Sequence, residues 1–208
     1  DWNYKEQATG AHFQWNNKNF NVNYGGLCKN VYLHIMPAVY QTLPLYSTLG
    51  TTGTYIYAQD INVVGRKATI HAEAEVSNSS KKPLTTAMEV LIVDADGKQV
   101  AQFKGSNVTI PANTAHFKIQ AAQSVSNLHF WSWGYGYLYE VKTIVAGDTV
   151  TTKTGFRKTA FKDGMIYLND RVIQVHGYAQ RTSNEWPGVG MSVPAWLSDY
   201  SNDLVVQS

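Results

Sequence analysis

Apolar and polar positions alternate with a period of two along most of this chain, and helical spacing is scarce. Residues 68–76 read ATIHAEAEV. Ile70 and Val76 fall on one side of that alternation, and His71, Glu73 and Glu75 on the other. This is the pattern of an antiparallel strand with one face in a core and one in water. Shorter apolar runs at 31–35, 55–57, 87–93, 100–103, 108–110, 115–119, 138–145 and 150–156 continue the series. Turn signals separate them: the polar stretch 78–83, Asp94-Ala95-Asp96-Gly97, and Gly147-Asp148.

Between residues 54 and 158 this gives seven or eight short strands at regular spacing. The expected fold class is mainly β, with an immunoglobulin-like sandwich at its centre that lacks the cysteine pair of antibody domains. Residues 1–50 differ: they are rich in Asn, Tyr and Trp, and too irregular for a complete sandwich. They read as the last strands of an earlier β-domain, with 48–53 as a linker. A third block, 159–208, opens on a hairpin with Asn169-Asp170 at its tip and residues 165–168 and 172–175 as arms. Residues 192–208 are the one helical pattern, with Ser192 as cap, Pro194 in the first turn, and an apolar face of Trp196, Leu197, Tyr200, Leu204 and Val205. A strand, a loop and one helix are how a barrel begins, so the chain is expected to be a piece of a larger protein.

Composition narrows the classes of function. Charged residues make up 15%, aromatics 12%, and the net charge is +2. No basic run exceeds two residues, so neither nucleic acid nor an anionic membrane is an expected partner. No stretch of 18 apolar residues is present to span a bilayer, and Asp1-Trp2-Asn3-Tyr4 is not a signal peptide. The single cysteine, Cys28, reads as a small buried apolar residue and is compatible with cytoplasm or bacterial periplasm.

The candidate chemistry within the chain is thin. Glu73 and Glu75 share a strand face roughly 6–7 Å apart, a carboxylate pair that reads better as a solvated face than as a catalytic dyad. Six scattered histidines offer no metal-ligand spacing. No phosphate loop, Ser-His-Asp order or Cys-His pair occurs, and no cofactor is expected. Trp131, Trp133, Tyr135, Tyr137 and Tyr139 form the densest aromatic tract. Alternate members share a face wherever the backbone is extended. The tract reads as an inter-domain anchor, with a sugar-stacking platform as the alternative.

Three places in the chain resemble glycoside hydrolase family 2, the β-galactosidase, β-mannosidase and β-glucuronidase family. Tyr24-Gly25-Gly26-Leu27-Cys28-Lys29-Asn30-Val31-Tyr32-Leu33 is similar to the Gly-Gly-Ile-x-Arg-x-Val-x-Leu that ends the family's jelly-roll domain, with Lys29 in place of Arg. Phe130-Trp131-Ser132, Tyr137-Leu138-Tyr139 and Gly155-Phe156-Arg157 resemble the Leu-Trp-Ser, Pro-x-Leu-Tyr and Gly-Phe-Arg of its immunoglobulin-like domain, with Gly136 in place of Pro. Tyr167-Leu168-Asn169 and Val175-His176-Gly177 resemble the start of its (β/α)8 barrel.

The resemblance implies a jelly-roll end at 1–50, a sandwich at 54–158 and an incomplete barrel from 159. It implies a retaining exo-glycosidase acting on terminal β-galactosides through two glutamates beyond residue 208, so no catalytic residue is expected in this chain. A β-glucuronidase or β-mannosidase type, or a stand-alone carbohydrate-binding module, are the alternatives. The first barrel strand and its loop imply substrate contacts at His176, Arg181, Asn184, Glu185 and Trp186, where Arg181 stands in place of the family's usual histidine. The expected partners are a carbohydrate and the remainder of the same polypeptide.

Overall fold

A computed structural model describes residues 31, 33–43, 53–177, 200, 203 and 207. One compact unit runs from Ile35 to Val175, and a second comprises Asp1–His34 with His176–Ser208. The described residues form thirteen strands: β1 (Val39–Gln41), β2 (Thr54–Asn62), β3 (Lys67–Asn78), β4 (Leu84–Thr86), β5 (Glu89–Val93), β6 (Gln99–Lys104), β7 (Val108–Ile110), β8 (Thr114–Val125), β9 (Tyr139–Val145), β10 (Asp148–Thr154), β11 (Thr159–Lys162), β12 (Met165–Leu168) and β13 (Arg171–Ile173). The mainly-β fold read from the sequence is the fold observed.

The strands make two layers. In one sheet β3 is central, with β8 on one side and β2, followed by β1, along the other. The other sheet has the order β10-β9-β5-β6. All pairings are antiparallel. The inner face of β3 is Ala68, Ile70, Ala72, Ala74 and Val76, all buried. Three alanines on that face let Val90 and Ile92 of β5, Val141 and Val145 of β9, and Met88, Leu128 and Phe156 fill the interlayer space. A ribbon of β4 with β7, and a three-stranded sheet of β11, β12 and β13, lie outside the two layers.

β1 is held by more than its ladder. The fully buried Gln41 sends its amide Nε2 to the carbonyls of Thr143 and Asp148, each at 3.0 Å. Its backbone N–H donates to Asp148 Oδ2 at 2.8 Å. A short strand from before residue 50 is thereby tied to the β9–β10 hairpin of the opposite layer.

The outer face of β3 departs from the expected solvated face. Glu75 is 4% exposed. The β3–β8 register shifts between Val76 and Asn78, and His116 lies in that irregularity with φ 63°. The bulge turns its imidazole onto the carboxylate, with Nδ1 2.7 Å from Glu75 Oε1. Glu73 is half-buried and accepts the Tyr57 hydroxyl proton at 2.8 Å. That hydrogen bond is the main reason the Tyr57 pKa stands above its ordinary value.

Of the second unit, Val31 and Leu33 are exposed and carry no strand, while Tyr200, Asp203 and Gln207 are helical. The remainder of the helical pattern read at 192–208, and Cys28, lie outside the described residues.

One glycine in the sandwich is fixed by close approach. A Cβ on Gly105 would stand 2.2 Å from the Gln120 carbonyl oxygen of β8. That neighbour is backbone and cannot swing away. Gly105→Ala is expected to lower the unfolding free energy by about 1–3 kcal/mol, read as a lower urea midpoint. An unchanged midpoint would show that β6 and β8 do not approach this closely.

Candidate functional site: the aromatic end of the sandwich

The aromatic tract lies between β8 and β9, at one end of the two layers. Its five members, expected to share faces along an extended backbone, are divided by a turn. Ser132 and Tyr135 exchange backbone hydrogen bonds at 2.9 and 3.0 Å, and Gly134 between them takes φ 72°. This places Trp133 at the tip, 62% exposed, while Tyr139 is 1% exposed in the core.

Tyr139 opens β9, and its hydroxyl accepts the His129 backbone N–H at 2.7 Å. The contact resembles the tyrosine corner of immunoglobulin-like sandwiches, in which a ring near the start of a strand ties down the chain that crosses to it. Burial is the main cause of a Tyr139 pKa above the ordinary tyrosine value, opposed by that same backbone hydrogen bond.

Arg66 closes the corner from the other side. It stands in the left-handed region at φ 52°, which lets one side chain reach three groups. Nε donates to the Leu128 carbonyl and Nη2 to the Asn127 carbonyl, both at 3.1 Å. Nη2 also lies 2.9 Å from His129 Nε2. A guanidinium only donates, so Nε2 accepts and the ring proton sits on Nδ1. Nδ1 faces the Tyr135 hydroxyl at 2.8 Å. His129, Tyr137 and Tyr135 then stack, with centroids 4.6 and 5.7 Å apart.

Trp131 joins the sandwich to the three-stranded sheet. Its N–H donates to the Phe156 carbonyl at 2.8 Å, and its carbonyl accepts Asn169 Nδ2 at 2.9 Å. Arg157 stands 5.5 Å over its ring. Asn169 and Asp170 take φ 49° and 66°. Two successive positive φ values are those of a type I′ hairpin turn. The turn aims Asn169 back at the sandwich, where its Oδ1 accepts the Lys158 N–H at 3.0 Å and its own N–H donates to the Lys158 carbonyl at 2.8 Å. Asp170 adds an ion pair to Lys158 Nζ at 2.6 Å.

The family model described as glycosyl hydrolases family 2 matches residues 53–157. The chain belongs to glycosyl hydrolases family 2. A relative named β-glucuronidase from Formosa agariphila is 33% identical, covering 94% of this chain and 21% of the relative. A β-glucuronidase from Canis lupus familiaris is 25% identical, covering 86% of this chain and 25% of that protein. A solved β-glucuronidase of glycoside hydrolase family 2 superposes with TM-score 0.71 at 33% identity, over 81% of this chain and 18% of its own. The chain thus spans about a fifth to a quarter of the curated relatives it matches.

Within this family 2 chain the aromatic end is equipped to hold polypeptide in place. Glu140 is engaged by Lys142 Nζ at 3.1 Å, as Asp170 is by Lys158. Among the described residues no group of three His, Cys, Asp or Glu side chains is placed to hold a metal ion. Of the substrate contacts read from the sequence, His176 is described and exposed, directly after the Ile35–Val175 unit. Arg181, Asn184, Glu185 and Trp186 lie outside the described residues. Sequence reading missed Arg66 and Asn169 as organising residues; the Asn-Asp tip was the available signal for the second.

The raised Tyr139 pKa has a signed consequence. A tyrosine whose folded pKa exceeds the unfolded value near 10.0 holds its proton more tightly when folded, so its contribution is whole below that pH. The contribution is lost as pH rises through the folded pKa. Tyr139→Phe leaves the His129 N–H without its acceptor and is expected to cost about 1–3 kcal/mol at neutral pH. It should also flatten the loss of stability above pH ~10. Denaturant titrations at neutral and alkaline pH check both; an equal alkaline loss in the variant would assign it to other groups.

Proposed function

We propose that this chain is the non-catalytic linking region of a retaining exo-glycosidase of the β-glucuronidase type. The observation that carries the reading is the 33% identity to a protein named β-glucuronidase across nearly the whole chain. The β-galactosidase expectation gains no comparable support: the relatives matched in sequence over most of the chain carry the glucuronidase name, and a solved structure described as a putative β-galactosidase shares the fold at 19% identity. The coarser reading, a family acting on glycosides, is common to both.

In this proposal residues 1–50 close a jelly-roll domain, 54–158 are the sandwich, and 159–208 begin the barrel. Hydrolysis is a double displacement with two carboxyl groups about 5–5.5 Å apart, one as nucleophile and one as acid and base. Those groups lie in the remainder of the polypeptide. Glu73 and Glu75 are poor candidates, since one is bound by Tyr57 and the other by His116. The sandwich contributes position: it fixes the β11–β13 sheet, and the chain then runs through Val175 to His176 and to Arg181, Asn184, Glu185 and Trp186. In the proposal these five reach the sugar, with Arg181 suited to the carboxylate of a uronic acid through paired N–H donors.

The intact protein is expected to release the aglycone from an aryl β-glucuronide with far higher kcat/KM than from the matching β-galactoside, and residues 1–208 alone should release neither. Preference for the galactoside would restore the first expectation. Turnover by 1–208 alone would contradict the placement of the catalytic pair.

A further inference from the structure

The outer face of the first sheet carries a row of rings with one place left empty. Tyr55 and Tyr57 of β2 stack at 5.0 Å. Tyr57 and His71 are cross-strand partners whose rings stack at 4.8 Å, within 3° of parallel. That distance is about the spacing of neighbouring strands, so the row passes from β2 to β3 by one ring on each strand. The next partner across the ladder, opposite His71 on β8, is Ala122. A methyl group stands where the fourth ring would be, and it is exposed. His71 lines an open groove of about 860 Å³, whose lining also includes Ala122, Glu73, Lys118, Gln120 and Ser106.

The rim of this gap is polar and partly fixed. Glu73 is the cross-strand partner of Gln120, two residues along the ladder from the His71–Ala122 pair and so on the same face. Tyr57 holds Oε1 of Glu73 at 2.8 Å, leaving Oε2 to accept from the groove. His71 Nε2 is buried without a hydrogen-bond partner. On the far wall, Gly105 lets the β6–β7 connection press against β8, so Ser106 is carried by closely packed backbone. An open groove with an aromatic wall, an apolar floor and a rim of carboxylate, amide, ammonium and hydroxyl groups matches a ring that is apolar on its face and hydroxylated around its edge. A flat aromatic ligand has no use for such a rim. A single tyrosine-bound carboxylate in the groove lacks the second acid that hydrolysis requires.

We propose that the groove between His71 and Ala122 is a non-catalytic sugar-binding site, in which a pyranose ring lies over Ala122 against the His71 imidazole and donates hydroxyl hydrogen bonds to Glu73. The site is independent of which glycoside the parent protein hydrolyses. The reporter is Ala122 itself. In the intact protein labelled with ¹³C at alanine methyl groups, methyl β-D-glucopyranoside and methyl 1-thio-β-D-glucuronide are titrated separately. The Ala122 methyl resonance should shift saturably with at least one of them. His71→Ala and Glu73→Gln should each weaken that isotherm about tenfold, the loss of one charge-assisted or stacking contact. Ala122→Phe puts a ring in the groove and should abolish sugar binding, read by ligand-observed saturation transfer from the sandwich, without lowering the melting temperature. Aryl-glycoside hydrolysis should be unchanged in all three. An Ala122 methyl that neither sugar moves, including because other parts of the polypeptide cover the groove, overturns the proposal. So does a shift of equal size and affinity in His71→Ala.

Discussion

The missing side chain at Gly155 is the constraint on which the rest of this region depends. A Cβ there would lie 2.8 Å from Trp131 Cβ and 2.9 Å from the Tyr137 carbonyl oxygen. Only glycine lets the end of the second layer run this close beneath the aromatic tract. That approach brings the Trp131 N–H to the Phe156 carbonyl and the Arg157 guanidinium over the indole. With Trp131 so fixed, its remaining carbonyl is available to Asn169, and the three-stranded sheet is tied to the sandwich through one hairpin tip. The Gly-Phe-Arg, Trp-Ser and Leu-Asn motifs are therefore parts of one contact, separated in sequence and joined in space.

This arrangement suits the linking role proposed for the chain. A glycosidase gains rate from holding its acids and its sugar in a fixed relation, and small displacements of positioning groups are costly. Elements leading into a catalytic domain are worth anchoring rigidly for that reason. Here the anchor uses backbone and amide hydrogen bonds, a cation over an indole and a type I′ turn, with Arg66 and Tyr139 bracing the chain on the sandwich side. Each is a short-range, directional contact. The large apolar core between the layers provides most of the stability; these contacts choose one orientation of the sheet that follows.

Much of this was legible in the sequence, because strand alternation survives wherever one face is buried. The β3 core face, the β9 and β10 arms and the Asn169-Asp170 hairpin were all placed by period and turn chemistry. Other features depend on contacts that no local pattern carries. The burial of Glu75 follows from a bulge that redirects His116 across 41 positions of sequence. β8 runs through Ala122, Gln123 and Ser124, whose small and polar side chains hide its full length. The aromatic tract looked like one extended face until the turn at Gly134 divided it between core and solvent. Glucuronic acid against galactose was not decided by the sandwich motifs, and the proposed substrate contacts at Arg181, Asn184, Glu185 and Trp186 lie outside the described residues.

The central claim, that the β11–β13 sheet and the sandwich form one cooperative body joined at Trp131 and Asn169, is tested most directly by native-state hydrogen exchange. Backbone amides of Ile166 and Leu168 should open with the same free energy, and the same denaturant dependence, as those of Val141 and Thr143 in β9. Exchange of the sheet amides at much lower free energy, while β9 stays protected, would mean that the hairpin opens on its own and that the contact does not bind the two together.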